Sequence, residues 1–167
     1  MVLTKSELVA ALQNEARILH HLTGKIDRSK LDYRPTAKQR STLELLRYLS
    51  MMGPTLVRYV KVNTPDPAMW ADAAAAADVR DFDQSIAAIA AHGELYASLL
   101  ADVSDADLRD EVMGMDGNKT SRGSVMVNGV LCSCAAYRTQ LFLYIKACGR
   151  EDLNTMNLWA GVDSPAA

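Results

Sequence analysis

Residues 124–149, SVMVNGVLCSCAAYRTQLFLYIKACG, form the longest run of helical apolar character in the chain and end on a helix-stopping glycine, Gly149. Apolar residues surround the helical axis here rather than filling one stripe, the pattern of a helix packed on several sides. The stretch is therefore expected to be a buried central helix, and the rest of the chain must supply its neighbours. One line along it is polar. Ser133, Tyr137, Gln140 and Tyr144 follow one another at spacings of four, three and four, so they share one helical face. An unpaired buried hydroxyl or amide costs about 1–3 kcal/mol, so this seam needs partners, from the protein or from a ligand.

The neighbours are legible from their start signals. Thr4 and Glu7 fit a capping box, after which Leu8, Leu12, Ala16, Leu19 and Leu22 recur every three or four residues up to Gly24. This predicts helix one over 4–24. Residues 25–40 contain Pro35 and scattered charges and read as a loop. Ser41 and Glu44 make a second box that launches helix two over 41–61, with Leu45, Leu46, Tyr48, Leu49, Met52, Leu56, Tyr59 and Val60 as its apolar positions. Pro54 lies inside it and should bend it. Residues 63–77, with Pro65, Pro67 and five consecutive alanines, read mostly as loop. Helix three is expected over 81–103, with Phe82, Ile86, Ile89, Tyr96, Leu99, Leu100 and Val103 inward. A polar, glycine-marked connection over 104–122 then leads into helix four, and 152–159 read as a short closing helix or turn.

Four long helices with mixed connections predict an all-α four-helix bundle. At 167 residues the chain has the length of one domain, expected to span 1–167. A net charge of −2 excludes the dense basic surface that non-specific nucleic-acid binding requires. The longest uncharged stretch, Gly123 to Tyr137, is 15 residues, too short to span a bilayer. Lys5 and Glu7 interrupt the N-terminus, which does not read as a signal peptide, so a cytoplasmic location is expected. Cys132, Cys134 and Cys148 all fall on one helix where they cannot pair, and they are expected to be buried thiols.

The stretch LDYRPTAKQRSTLELLRYLS, then YRTQLFLYIKACG, then LNTMNLWAGVD, resembles the DinB/YfiT-like superfamily of four-helix-bundle proteins, a group read as metalloenzymes. The resemblance covers most of the chain and rests on Arg34-Pro35, Ser41 and Glu44 before and at the start of helix two, and on Tyr137-Arg138-Thr139-Gln140 on helix four. It implies a divalent metal held by one histidine on helix two and a His-x-x-x-His pair on helix four. The matching positions here are Tyr48, Ser133 and Tyr137, none of them histidine. Neutral phenols and a serine are poor ligands for zinc or nickel, so no metal and no cofactor are expected. His20 and His21 point about 100° apart on a helix, and His92 stands alone, so spacing pairs none of them.

Two readings of the replaced positions stay open. Tyr48, Ser133 and Tyr137 form either a satisfied polar cluster that fixes helix two against helix four, or, with Gln140 and Tyr144, the lining of a pocket for a small polar molecule. Charge adds a second candidate. Residues 25–47 carry seven basic against three acidic side chains, whereas 72–111 carry two against ten. Arg34, beside Pro35, is the first choice for an anion contact. The resemblance also implies a homodimer. A metal- or thiol-dependent enzyme, hydrolase or S-transferase, using other residues is the alternative, and a structural or interaction protein is a third.

Overall fold

The computed structural model describes residues 3–62, 66–114 and 116–163. Both capping boxes form. The Thr4 side chain accepts the Glu7 N–H while the Glu7 carboxylate takes the Thr4 N–H at 2.8 Å, starting α1 (Lys5–Thr23). Ser41 and Glu44 repeat the exchange at α2 (Thr42–Lys61), with Ser41 N–H to Glu44 Oε2 at 2.6 Å.

Helix α2 runs through Pro54. Proline has no N–H, so the Ser50 carbonyl four residues earlier loses its helical donor. Two side chains from elsewhere take over, His92 Nε2 donating at 3.2 Å and Arg80 Nη1 also at 3.2 Å. The gap in the ladder thus becomes a tie between α2 and the helix beside it.

The stretch read mostly as loop contains a helix, α3 (Pro67–Asp78). Asp66 caps it by accepting the Ala68 N–H at 2.9 Å. Pro67 sits in the first turn, where a missing N–H is harmless, and the alanines that follow have the highest helix propensity. Proline here starts a helix rather than breaking one. The earlier residues of that expectation, 63–65, lie outside the described residues.

Helix three is two segments, α4 (Phe82–Ala90) and α5 (His92–Leu99), and it ends four residues short of the expected boundary. The Asp81–Gln84 capping box starts α4. At Ala91 ψ relaxes to −9°, beside Gly93 with its low helix propensity, yet hydrogen bonds continue on both sides of the joint at 3.2 and 3.1 Å. The connection over 104–122 holds a 3₁₀ turn, Asp107–Arg109, and an antiparallel hairpin of β1 (Glu111–Met113) and β2 (Lys119–Ser121), with Val112 opposite Thr120.

Helix four is continuous but composite. It comprises α6 (Arg122–Val125), a π-helical segment Met126–Leu131 and α7 (Cys132–Ala147). It is not buried all round. Asn128, Cys132, Ala136, Thr139, Leu143 and Ala147 make an unbroken exposed stripe at spacings of four, four, three, four and four. Four of those six are cysteine, alanine or leucine, so their hydropathy hides the solvent face. Cys132 is accordingly exposed and Cys148 only partly covered, which corrects the expectation of three buried thiols; the Cys134 sulfur is the one that lies inside the bundle, beside Tyr96. A short π-helical turn, Met156–Ala160, follows.

The bundle is the expected all-α one, built from α1, α2, α4 with α5, and α6 through α7. Its core has one end around Leu22, Leu45, Leu49, Ile89, Leu141 and Ile145, and another around Leu12, Val57, Tyr96, Leu100, Met126 and Val130. No helix among the described residues is long and apolar enough to cross a membrane. Helix α3 packs on α2 at the edge of the bundle, burying Ala77 in the first end of the core, and that placement creates the site described next.

Candidate functional site

Helices α2 and α7 face each other through Tyr48 and Tyr137, whose ring centroids stand 4.8 Å apart at 57°. Burial, and then the neighbouring Tyr137 hydroxyl, hold the Tyr48 phenol well above the ordinary tyrosine range, so it is neutral. The rest of the polar seam looks inward to the protein. Ser133 Oγ donates to the Gly129 carbonyl of its own helix at 2.6 Å. Gln140 Nε2 donates to the Tyr144 hydroxyl at 3.0 Å, and that hydroxyl donates to the Arg40 carbonyl at 3.0 Å. Tyr144 thereby anchors the basic loop against the bundle.

On the outer side of Tyr48 lies a cleft of about 490 Å³ between α2, α3 and the loop at 34–40. Arg34, Lys38, Arg40, Tyr48, Trp70 and Asp78 are among the residues lining it. The Arg40 guanidinium lies 4.1 Å over the Tyr48 ring, and Trp70 stands 6.2 Å from Tyr48 on the other helix. Arg34 is held by Glu44 at 3.3 Å and donates to the Gln39 carbonyl at 3.2 Å. The Ser41 N–H keeps the Glu44 carboxyl below its usual range, with Arg34 adding to the effect. Lys38 and Arg40 have no acidic partner within ion-pair distance among the described residues.

Two of the sequence candidates, Tyr48 and Arg34, thus meet in one cleft, whereas Ser133, Tyr137, Gln140 and Tyr144 are not among its lining residues. Sequence reasoning missed Trp70, which the Asp66-Pro67 helix start would have placed on an ordered face. It also counted Lys38 and Arg40 as loop charge without assigning them a site.

The middle of the bundle holds the other titratable groups. Glu15, His92, Tyr96 and Cys134 surround a cavity of about 10 Å³. Burial pushes the Cys134 thiol up to about 11, and its sulfur stands 3.8 Å from the Tyr96 hydroxyl. A thiol so protonated is a poor nucleophile. Glu15 binds Arg138 through 2.7 and 3.2 Å contacts, both side chains being well buried. His21 is engaged by Asn157 at 3.2 Å, and His92 by the Ser50 carbonyl. Among the described residues, no group of three or more His, Cys, Asp or Glu side chains is placed to hold a metal ion. The positions at which the resemblance implies one offer a neutral phenol, a second phenol and a hydroxyl bonded to its own helix, which do not fit a divalent cation.

Compared with known protein families and with curated proteins, the sequence matches none. Among solved structures it is similar to a DinB-like protein, YjoA, from Bacillus subtilis, with a TM-score of 0.66 and 15% sequence identity over 88% of this chain and 94% of that one. An identity so low speaks to architecture, and on that architecture the chain has the DinB-like fold.

Proposed function

We propose that the protein binds a small polar molecule bearing an anionic group in the cleft between α2, α3 and the 34–40 loop, without using a metal. The observation that carries this reading is the convergence of Lys38, Arg40 and Arg34 with the Tyr48 and Trp70 rings on one open volume, where the cations outnumber the two carboxylates present, Asp78 and the Glu44 that Arg34 holds. A few polar groups beside aromatic walls are the common composition of a ligand site, and 490 Å³ is within the usual size for one. Arg34 is already committed to Glu44, so Lys38 and Arg40 are the cations to meet an anion. Tyr48 and Trp70 offer ring faces to a planar or apolar body. Tyr137 supports Tyr48 from behind, and Ser133, Gln140 and Tyr144 serve the bundle through the bonds they already make.

The test is a thermal-shift screen with organic anions such as benzoate, citrate and AMP, repeated on Arg40→Gln and Lys38→Gln. A ligand bound only to the native state must raise the melting temperature. The expected result is a shift in the unmodified chain that shrinks in both variants. A panel that shifts nothing, or shifts all three proteins alike, overturns the reading in favour of a purely structural bundle.

A further inference from the structure

Along the same pair of helices lies a second hollow of different character. It is a groove of about 620 Å³ lined by Leu56, Tyr59 and Val62 of α2 and its end, by Trp70 of α3, and by Val112 and Met113 of β1, among others. Three of these apolar side chains stand open to solvent, Tyr59 at 36%, Val62 at 42% and Met113 at 61%. Trp70 lines both hollows. The cleft takes residues 44–51 of α2 with 74–78 of α3, and the groove takes 56–62 with 67–70, so α3 runs back along α2 and the hollows lie end to end. From Tyr48 to Tyr59 a helix rises roughly 16 Å. The two hollows meet at the Trp70 indole: Lys38 and Arg40 line one, together with the Arg34–Glu44 pair and Asp78, and an apolar wall lines the other.

We infer that the ligand is an amphipathic organic anion, a carboxylate-headed acyl chain, whose head meets Lys38 and Arg40 and whose chain passes Trp70 into the groove beside Met113. This rests on the cleft reading proposed above and adds the apolar half of the molecule. A wholly polar ligand would leave the groove bare. A wholly apolar one would make no use of the two cations, which have no acidic partner within ion-pair distance among the described residues. Only a molecule with both properties matches both hollows.

The experiment is a fluorescence titration of the full chain in a Trp159→Phe background, which removes the indole that is 70% exposed and leaves Trp70 as reporter. The probes are benzoate, octanoate, laurate below its aggregation concentration, and dodecanol as the uncharged analogue of laurate. Saturable binding is expected to tighten roughly fourfold for each added methylene until the groove is full. Dodecanol is expected to bind about tenfold more weakly than laurate. Met113→Asp, at a position 61% exposed, should weaken laurate about tenfold and leave benzoate and the urea midpoint nearly unchanged, whereas Lys38→Gln with Arg40→Gln should weaken both ligands.

If chain length and Met113→Asp have no effect while the cation variants still weaken benzoate, the acyl inference is overturned and the cleft reading survives. If the cation variants weaken neither probe, both are overturned. If sedimentation shows a dimer that Met113→Asp splits, and laurate does not bind, a second copy of the chain covers the groove and the inference is likewise overturned.

Discussion

The middle of the bundle and its α2–α3 edge use similar side chains to opposite ends. In the middle, Glu15, His92, Tyr96 and Cys134 surround barely 10 Å³, and each is engaged by protein: Glu15 by Arg138, His92 by the Ser50 carbonyl, Tyr96 and Cys134 by one another. Among the described residues no buried side-chain nitrogen or oxygen lacks a hydrogen-bond partner. At the edge, Lys38 and Arg40 face a hollow of about 490 Å³ that Glu44 and Asp78 also line, yet neither cation has a carboxylate within ion-pair distance among the described residues. Titratable residues in a bundle core look like chemistry in a sequence, but here their bonds are already spent on architecture. The contrast is therefore testable as stability in one place against binding in the other.

The largest effect belongs to Glu15. Its partner Arg138 is 8% exposed along its side chain and also donates to the Leu158 carbonyl, so it cannot turn to water when the carboxylate goes. Glu15→Ala is expected to cost about 3–5 kcal/mol, read as a shift of the urea midpoint, because a buried charge is left without its counter-ion. Loss of less than 1 kcal/mol would mean that the middle is as adaptable as the edge and that the contrast is false.

His92 comes next. Burial above all, with Arg80 adding to it against the Ser50 hydrogen bond, lowers its pKa from 6.5 to about 4. The folded state refuses a proton that the unfolded chain accepts. Stability is therefore unaffected above pH 6.5, falls as pH drops from 6.5 toward 4, and levels off below that. The loss is about 3 kcal/mol by the conversion of pKa shift to free energy. Carboxylates titrate in the lower part of this window too, so the measurement is the difference in pH-dependent stability between the unmodified chain and His92→Gln. That difference should stop changing with pH above about 6.5, the unfolded value.

These two residues show what the sequence could and could not carry. Local signals with a fixed chemical meaning were readable: both Ser/Thr-x-x-Glu boxes start helices where they stand, and Tyr48 and Tyr137 do bring α2 and α7 face to face. Signals whose meaning depends on position by a single residue were not. Pro67 reads as a breaker until Asp66 is seen to cap the turn it opens. Tertiary pairings were out of reach. Nothing near Pro54 in sequence announces that His92 and Arg80 will take the carbonyl it orphans, or that Arg138 will find Glu15 across 123 positions. The polar seam was visible at its spacing, but spacing cannot say that Ser133 bonds its own helix or that Tyr144 reaches the Arg40 carbonyl.

Gly53 sharpens the comparison from the packing side. A Cβ there would overlap the Tyr96 hydroxyl and stand 3.2 Å from its Cζ and 3.3 Å from Cys134 Sγ. Alanine gains about 1 kcal/mol of helix propensity, but overpacking a filled core costs about 1–3 kcal/mol. Gly53→Ala is expected to destabilise by about 1 kcal/mol net. In a Tyr96→Phe background, with the obstructing hydroxyl gone, the same substitution should become neutral or favourable. Such coupling between the two sites is what a double-mutant cycle measures. Simple additivity would show that Tyr96 has room to move and that the middle is looser than its 10 Å³ implies.

The smallest effect on stability is expected at the edge, and its smallness is the point. Lys38 is exposed, and its charge has no carboxylate within ion-pair distance among the described residues, so Lys38→Gln should leave the urea midpoint unchanged within about 0.5 kcal/mol. Arg40 is exposed as well, but its guanidinium lies 4.1 Å over the Tyr48 ring, a contact worth about 0.5–1 kcal/mol at such a site. The tie from Tyr144 to this loop runs through the Arg40 backbone carbonyl, which glutamine retains. The double variant should therefore fold with a loss of about 1 kcal/mol or less while the response to anions in the thermal-shift screen disappears. A loss near that of Glu15→Ala would mean that the cations hold the α2–α3 edge together as Arg138 holds the middle. The two regions would then differ in exposure but not in purpose, and the open volume beside Tyr48 would have no claim to be a site.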